Sequence, residues 1–118
     1  MNSFKKLIIW RDSISLIKTV YKVADSLPKA EEYNLKQQLK RAAVSVALNI
    51  AEGKNRRMGR EFLHFLSVSS GSISEVEAIL AISEELGYVK IESDLWHSIE
   101  LLGKKINSLR GNLESKCK

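Results

Sequence analysis

Apolar residues recur at alternating spacings of four and three along most of the chain. The clearest run lies near the C-terminus, where six positions repeat this spacing: Leu95, Ile99, Leu102, Ile106, Leu109 and Leu113. Such a seam is typical of a helix packed in a bundle or coiled coil. Comparable runs predict three earlier helices, over about Ile8–Leu27, Leu35–Gly53 and Gly59–Leu86.

Residues that start or stop helices lie at the ends of these runs. Pro28 cannot donate to the helical hydrogen-bond ladder, so it ends the first helix. Asn34 is expected to cap the second helix while Gln37 reaches back to it, a variant of the capping box. Gly53 then provides a stop, and Asn55 is expected to adopt a left-handed turn.

The first helix carries two neighbouring apolar stripes, so both of its faces are expected to be covered. The stripes are Ile14, Ile17, Tyr21 and Ala24, and Leu16, Val20, Val23 and Leu27. No segment alternates with period two over the length of a strand, and the connections at 28–34, 54–58 and 88–93 are short. Short connections make consecutive helices antiparallel neighbours. Residues 1–118 are therefore predicted to form one all-α domain, an antiparallel up-down-up-down four-helix bundle.

The composition is that of one soluble globular domain. Of the 118 residues, 44% are hydrophobic and 28% are charged, and only one is proline. Cys117 is the only cysteine, which excludes an internal disulfide and a cysteine-based zinc pattern. The apolar run from Leu7 to Trp10 is too short for a signal peptide or a membrane span. We expect a cytoplasmic protein with no membrane segment.

The net charge of +5 is distributed unevenly along the chain. Residues 36–60 hold seven basic and one acidic side chain, whereas residues 61–100 hold one basic and eight acidic side chains. In an up-down-up-down bundle, the two chain termini and the connection between the second and third helices meet at one end. The cations expected at this basic end are Lys5, Lys6, Arg11, Lys54, Arg56, Arg57, Arg60, Arg110, Lys116 and Lys118. The carboxylates expected at the other end are Glu31, Glu32, Glu84, Glu85, Glu92 and Asp94, opposed by Lys36, Lys40 and Arg41.

Three arginines, Arg56, Arg57 and Arg60, crowd the start of the third helix. The helix dipole and its free amides favour anions there, so clustered cations work against local stability. A bound phosphate would meet arginine donors and helix amides together. The alternative is that these side chains are solvated, or paired with Glu52 and Glu61. The cluster as a whole favours an anionic partner.

Two Glu/Asp-x-x-His pairs resemble halves of a carboxylate-bridged di-iron site. They are Glu61 with His64 and Asp94 with His97, and each begins its own helix. Antiparallel helices place the two pairs about 30 Å apart, and His64 falls off the apolar stripe. We therefore expect no metal, no cofactor and no enzymatic activity, because the chain also lacks a phosphate loop or a nucleophile motif. Trp10 and Trp96 are expected to serve packing or subunit contact.

Small residues interrupt the third helix in the run Ser67-Val68-Ser69-Ser70-Gly71-Ser72. Serine and glycine weaken a helix interior by up to about 1 kcal/mol each, but they let another backbone approach closely. Ser45 and Asn49 lie four apart on the second helix, so a polar contact between the second and third helices is favoured. The alternative is that Gly71 and its serines face a neighbouring subunit.

A long motif resembles the four-helix-bundle proteins encoded in intervening sequences of bacterial 23S ribosomal RNA genes. Its residues are Leu35, Gln38, Arg41, Ala42, Ala43, Ser45, the run Asn49-Ile50-Ala51-Glu52-Gly53, then Arg56, Glu61, Phe62, Gly71, Ser72 and Glu75. With Trp10, Tyr21 and Pro28, the resemblance covers nearly the whole chain. The family often has proline where this chain has Ala47 or Leu48, and glycine where it has Asn55.

The resemblance implies a four-helix bundle assembled into a homopentameric ring. It also relates the chain to the accessory protein of diversity-generating retroelements, a basic pentameric bundle that binds RNA and a reverse transcriptase. Two hypotheses follow. The first is an oligomeric module that binds structured RNA or DNA through phosphate contacts from the basic end, and the second is a protein-binding scaffold with no nucleic-acid contact. A steep salt dependence of nucleic-acid binding would distinguish the first from the second.

Overall fold

Four α-helices account for most of the chain in a computed structural model, which describes residues 3–56 and 59–116. They are α1 (Ile8–Asp25), α2 (Leu35–Lys54), α3 (Gly59–Glu85) and α4 (Ser93–Lys116). Two short 3-10 turns, Ser3–Lys6 and Lys29–Glu31, precede α1 and α2. The described residues contain no strand. The predicted all-α class and the four helices are confirmed, each helix within about two residues at its predicted ends.

Each helix packs against its two neighbours around the bundle, in the order α1, α2, α3, α4 and back to α1. The α2–α3 contact is the most extensive and the α1–α4 contact the least. The molecule measures 46 × 24 × 20 Å, as expected for four helices packed side by side. The core between them is aliphatic and draws on every helix: Ile9, Leu16, Val20, Ala24, Leu27, Leu35, Leu39, Ala42, Ala43, Val46, Ile50, Leu66, Ile73, Val76, Ile79, Leu80, Ile91, Leu95, Ile99, Leu102 and Ile106.

The predicted α4 seam is the buried face of that helix. Its first four positions, Leu95 to Ile106 at the same spacing, are buried, and Ile106 is 0% exposed. Leu109 and Leu113 pack against the edge of the core and are half-buried. The seam therefore becomes less covered toward the C-terminus of α4.

The two stripes of α1 differ in burial. The core side is formed by Leu16, Val20 and Leu27 of one stripe, together with Ala24 of the other. Ile14, Ile17 and Tyr21 are only half-buried, at the side of α1 that adjoins α2. The expectation that both faces are fully covered is therefore wrong within one subunit. Trp10 and Trp96 both pack against the core, as predicted.

The start of α2 differs from the predicted capping box. The Asn34 side chain does not bind the helix amides; its Oδ1 accepts from Gln38 Nε2 at 2.7 Å and its Nδ2 donates to Glu31 Oε1 at 3.1 Å. The Leu35 amide instead donates to Glu31 Oε1 over a long 3.5 Å. The 3-10 turn before α2 places Glu31 at the helix start, where a carboxylate complements the helix dipole. This is why Asn34 is displaced from the capping role.

The end of α2 also differs from the sequence-based expectation. Gly53 lies inside the helix, which continues to Lys54, and Asn55 is right-handed at φ −76° and ψ −11°. The Asn55 amide donates to Ala51 O at 3.1 Å, so the helical hydrogen-bond pattern continues through this residue. Among the described residues, Gly87 alone has a positive φ, at 77°, and it follows α3 as predicted.

Polar contacts join α2 to α3 across the serine-rich run. Ser69 Oγ donates to the Val46 carbonyl at 2.9 Å, and Ser72 Oγ donates to Ser45 Oγ at 2.8 Å. Asn49 Nδ2 completes the cluster by donating to the Ser45 carbonyl at 2.8 Å. The small side chains therefore serve a close polar contact between the two helices, which confirms the favoured interpretation.

One helix, α3, is long and apolar enough to cross a membrane when judged by length and composition alone. Within this fold it packs along both α2 and α4, with Leu66, Val76 and Leu80 fully buried in the core. A core helix of a bundle meets the same criterion, so this feature does not change the assignment of α3 to the bundle core.

Candidate nucleic-acid interface

The predicted basic end is built from the short N-terminal turn and from the ends of all four helices. Lys5 and Lys6 are exposed on that turn, which packs against α1 and α2. Arg11 is exposed in the first turns of α1, and its Nε donates to the Lys5 carbonyl at 3.1 Å. Lys54 is the last residue of α2 and is half-buried, with its ammonium 5.9 Å from the centre of the Phe62 ring.

The remaining predicted cations lie on α3, α4 and the connection before α3. Arg60 is exposed in the first turn of α3. Arg110 is half-buried near the end of α4, where its Nη1 donates to Asn107 Oδ1 at 2.9 Å. Its Nε is buried and has no hydrogen-bond partner among the described residues. Lys116 is exposed at the end of α4, whereas Arg57 and Lys118 lie outside the described residues.

Charges at the opposite end are largely used to hold the fold together. Lys40 Nζ lies 2.8 Å from Asp25 Oδ1, and Lys36 lies 3.5 Å from the same oxygen and 3.1 Å from Glu32. The hydrogen bond from Lys40 lowers the pKa of Asp25 below its usual value, and the hydrogen bond to Glu32 raises the pKa of Lys36. These cations are neutralised where they stand.

Two acidic side chains at that end fasten the connection before α4. Tyr88 Oη donates to Glu31 Oε2 at 3.0 Å, and this hydrogen bond raises the pKa of Tyr88. The Ile91 amide donates to Glu84 Oε2 at 2.8 Å. The carboxylates of the acidic end therefore have structural partners, and the two ends of the bundle differ in function as well as in sign.

Cations of the basic end are mostly unpaired. Within residues 3–56 and 59–116, Arg56 alone among them has a carboxylate within 4 Å, the side chain of Glu52 at 2.6 Å. The others have no such carboxylate there: Lys5, Lys6, Arg11, Lys54, Arg60, Arg110 and Lys116. Because unpaired arginines and lysines keep all their donors free, this end can accept anions such as phosphate.

An open cavity, which we term the rim cavity, lies where α2 ends and α3 begins. It has a volume of about 380 Å³ and is lined by Arg56, Arg60, Glu61, His64 and Phe65. Sequence reasoning placed the two arginines here but assigned no binding role to the other three. The missed signal is their spacing, since residues 60, 61, 64 and 65 fall within neighbouring turns of one helix.

Close approach of α2 to α3 shapes this cavity, and it depends on Gly53. A Cβ placed on Gly53 would lie 2.8 Å from Phe62 Cδ1 and 2.9 Å from Phe65 Cβ. Both distances are too short for real carbon contacts. The absence of a side chain at Gly53 therefore allows the two phenylalanines to pack directly on the α2 backbone.

Replacing Gly53 with alanine is expected to destabilise the protein by about 1–3 kcal/mol, because overpacking outweighs the gain in helix propensity. The matched control is Gly103→Ala in α4, where nothing lies within 4 Å of the added Cβ. This control is expected to raise stability by up to about 1 kcal/mol. Urea denaturation of both variants measures the difference. An equal gain in the two variants would contradict the close approach of α2 and α3 at Gly53.

The two carboxylate–histidine pairs lie at opposite ends of the bundle. Glu61 and His64 are exposed at the start of α3, and Asp94 and His97 are exposed at the start of the antiparallel α4. The exposure of His64 agrees with the sequence-based expectation. No cluster of three or more metal-ligating side chains was found in the part of the chain that the structure describes.

A second concavity, of about 240 Å³, runs between α1 and α4, where the helix contact is least extensive. Lys105 Nζ and Asp12 Oδ2 bridge it at 2.8 Å. Ser15, Thr19 and Ser98 also line it, which makes its wall largely polar. None of its charged groups belongs to the basic end.

Residues of the family motif divide into internal and exposed positions. Ser45, Asn49 and Ser72 form the polar α2–α3 cluster, and Gly53 supports the rim cavity. Glu52 holds Arg56. The exposed positions are Arg41, Gly71 and Glu75. The motif thus combines residues that join α2 to α3 with residues that no contact within one subunit explains.

The fold and its charged end define a basic, antiparallel four-helix-bundle protein. The chain belongs to the 23S rRNA-intervening sequence protein family, whose model matches residues 5–108. It is also similar to the crystal structure of a protein of unknown function from the S23 ribosomal protein family of Bacteroides thetaiotaomicron VPI-5482. The two share 20% identity with a TM-score of 0.69, over 87% of this chain and 94% of the other. At this identity the similarity shows the fold alone. No curated protein matches the chain.

Proposed function

We propose that this protein is a non-enzymatic, oligomeric binding module of the cytoplasm that contacts the phosphates of structured RNA or DNA through its basic end. The observation that carries the proposal is the contrast in ion pairing between the two ends. Lys36 and Lys40 are neutralised by nearby carboxylates, whereas Lys54 and Arg60 have none within 4 Å among the described residues. Unpaired cations gathered at one end form an electrostatic footprint for a polyanion.

The proposal is tested by binding of the wild-type protein to a fluorescent RNA hairpin between 50 and 200 mM salt. Contacts to phosphates release counterions, so the logarithm of affinity should fall linearly with the logarithm of salt, by about 0.9 units for each phosphate contacted. A salt-independent affinity would contradict a phosphate interface. If no nucleic acid binds at 50 mM salt, the protein-binding scaffold becomes the better hypothesis.

Self-association is the second part of the proposal, and the outer side of the α2–α3 pair supports it. Val68 and Gly71 lie three residues apart on α3, so they share a face, and Leu48 lies three residues beyond Ser45 on α2. Leu48 is 62% exposed and Val68 is 40% exposed. Nothing in the described residues lies within 4 Å of a Cβ added at Gly71. We propose that a neighbouring subunit covers this surface in a homopentameric ring, the count that the family resemblance implies.

Light scattering at micromolar concentration is expected to give a mass of five times the 13.3 kDa of one chain. Gly71→Gln should lower that mass, because a long side chain would separate the two subunits. The control is Ala78→Gln, at another exposed position of α3. A monomeric wild type would end the ring hypothesis, and a Gly71→Gln variant that stays oligomeric would move the interface to another face.

A further inference from the structure

The rim cavity has the size of a site for one small ligand. Its volume of about 380 Å³ is near the lower end of the range for small-molecule sites, about 300–1,000 Å³. A nucleic-acid duplex is far too wide to enter it. A single nucleotide turned out of a loop or a single strand is the largest unit of nucleic acid that such a space accommodates.

A preformed stacking surface borders the cavity. The guanidinium of Arg56 lies 5.1 Å from the centre of the Phe65 ring, and its Nη2 is held by Glu52 Oε1 at 2.6 Å. The His64 ring meets Phe65 edge to face, at 5.3 Å and 70°. Unpaired bases stack on aromatic rings and on arginine planes. Because Arg56 is already fixed by two contacts, little side-chain freedom is lost when a base stacks there.

Charged groups in the same cavity suit the two ends of a nucleotide. Arg60 is exposed, has no carboxylate within 4 Å among the described residues, and can donate to a phosphate. Glu61 has the opposite preference, since an ionised carboxylate only accepts hydrogen bonds and repels phosphate. Its suitable partner is the N–H edge of a base. Guanine carries two adjacent donors on its Watson–Crick edge, which match the two oxygens of a carboxylate and are free only in an unpaired base.

We propose that the rim cavity binds one unpaired guanine nucleotide of a structured or single-stranded nucleic acid. The base stacks beside His64 and on Arg56, its Watson–Crick edge donates to Glu61, and its phosphate accepts from Arg60. This inference rests on the proposed nucleic-acid function and names what that interface recognises. General phosphate contacts supply the affinity, and the cavity supplies the preference.

Hairpin RNAs that differ at a single loop position, guanine or adenine, test the proposal, together with a duplex of the same length and the DNA version of each hairpin. The wild type should bind the guanine loop about tenfold more tightly than the adenine loop, the size expected of one bidentate base contact. Glu61→Gln should abolish this preference without weakening overall binding, because it removes a negative charge. Glu77→Gln, at an exposed position of the same helix, is the matched control and should leave the preference unchanged.

The His64 variants separate stacking from charge. His64→Ala should weaken binding of both loops without changing the salt slope, and His64→Phe should restore it because the stacking surface is kept. Equal wild-type affinity for both loops and the duplex, with a steep salt slope, would overturn the guanine site and leave the phosphate interface intact. If the wild type binds none of these nucleic acids at 50 mM salt, the proposed function fails together with this inference.

Discussion

Ile106→Asp is expected to destabilise the bundle by about 5 kcal/mol, enough to unfold most of it at ordinary temperature. Ile106 is 0% exposed and lies in the middle of the α4 seam. Removing a buried isoleucine side chain costs about 2–5 kcal/mol, and an unpaired carboxylate in the same space adds a desolvation penalty. A small domain has only about 5–15 kcal/mol of stability to lose.

Thermal melting followed by circular dichroism measures this effect. The matched control is Ser108→Asp, which places the same charge two residues further along α4 at an exposed position. That variant should stay within about 1 kcal/mol of the wild type, since the only expected penalty is an acid near a helix C-terminus. An Ile106→Asp variant with the wild-type melting temperature would show that this face of α4 does not form the core.

The helices could be predicted because each must bury one apolar face, and burial leaves a periodic trace in the sequence. The seam from Leu95 to Ile106 needed no knowledge of neighbouring helices. Pro28 and Gly87 marked boundaries for an equally local reason, since one lacks an amide hydrogen and the other adopts a positive φ of 77°. Antiparallel order then followed from the short connections.

The end of α2 and its start could not be predicted from local preference alone. Asn34 is a good capping residue, but a turn seven residues before Gln38 brings Glu31 to the helix start and engages Asn34 there. Asn55 tolerates left-handed geometry, yet its amide continues the helical pattern to Ala51. In both cases competing hydrogen-bond partners decided the conformation, and a propensity scale does not include them.

The candidate site was predictable in its charge and not in its shape. Topology alone gathers the cations at one end, whatever their side chains do. The rim cavity instead depends on the close approach at Gly53, which brings Phe65 beneath the arginine that follows α2. A three-dimensional contact between a glycine and a phenylalanine twelve residues apart leaves no periodic trace in the sequence.

Reversing two charges of the basic end, in the double variant Arg56→Glu and Arg60→Glu, is expected to lower RNA affinity about a hundredfold at 100 mM salt. Each lost phosphate contact should also reduce the logarithmic salt slope by about 0.9 units, so the slope should fall by nearly two. The fold should survive, because both side chains are exposed and lie outside the core. Glutamate at position 60 also complements the dipole at the start of α3.

The matched control reverses two cations at a distance from that end, in the double variant Lys22→Glu and Lys90→Glu. Both lysines are exposed, and neither has a carboxylate within 4 Å in the described parts of the chain. The net charge changes by the same amount, so a loss of affinity confined to the Arg56 and Arg60 variant identifies a localised phosphate surface and not a general effect of charge. Equal losses in the two variants would mean that RNA responds only to net charge. Wild-type affinity in the arginine variant would remove the basic end as the binding site and favour a scaffold that recognises another protein.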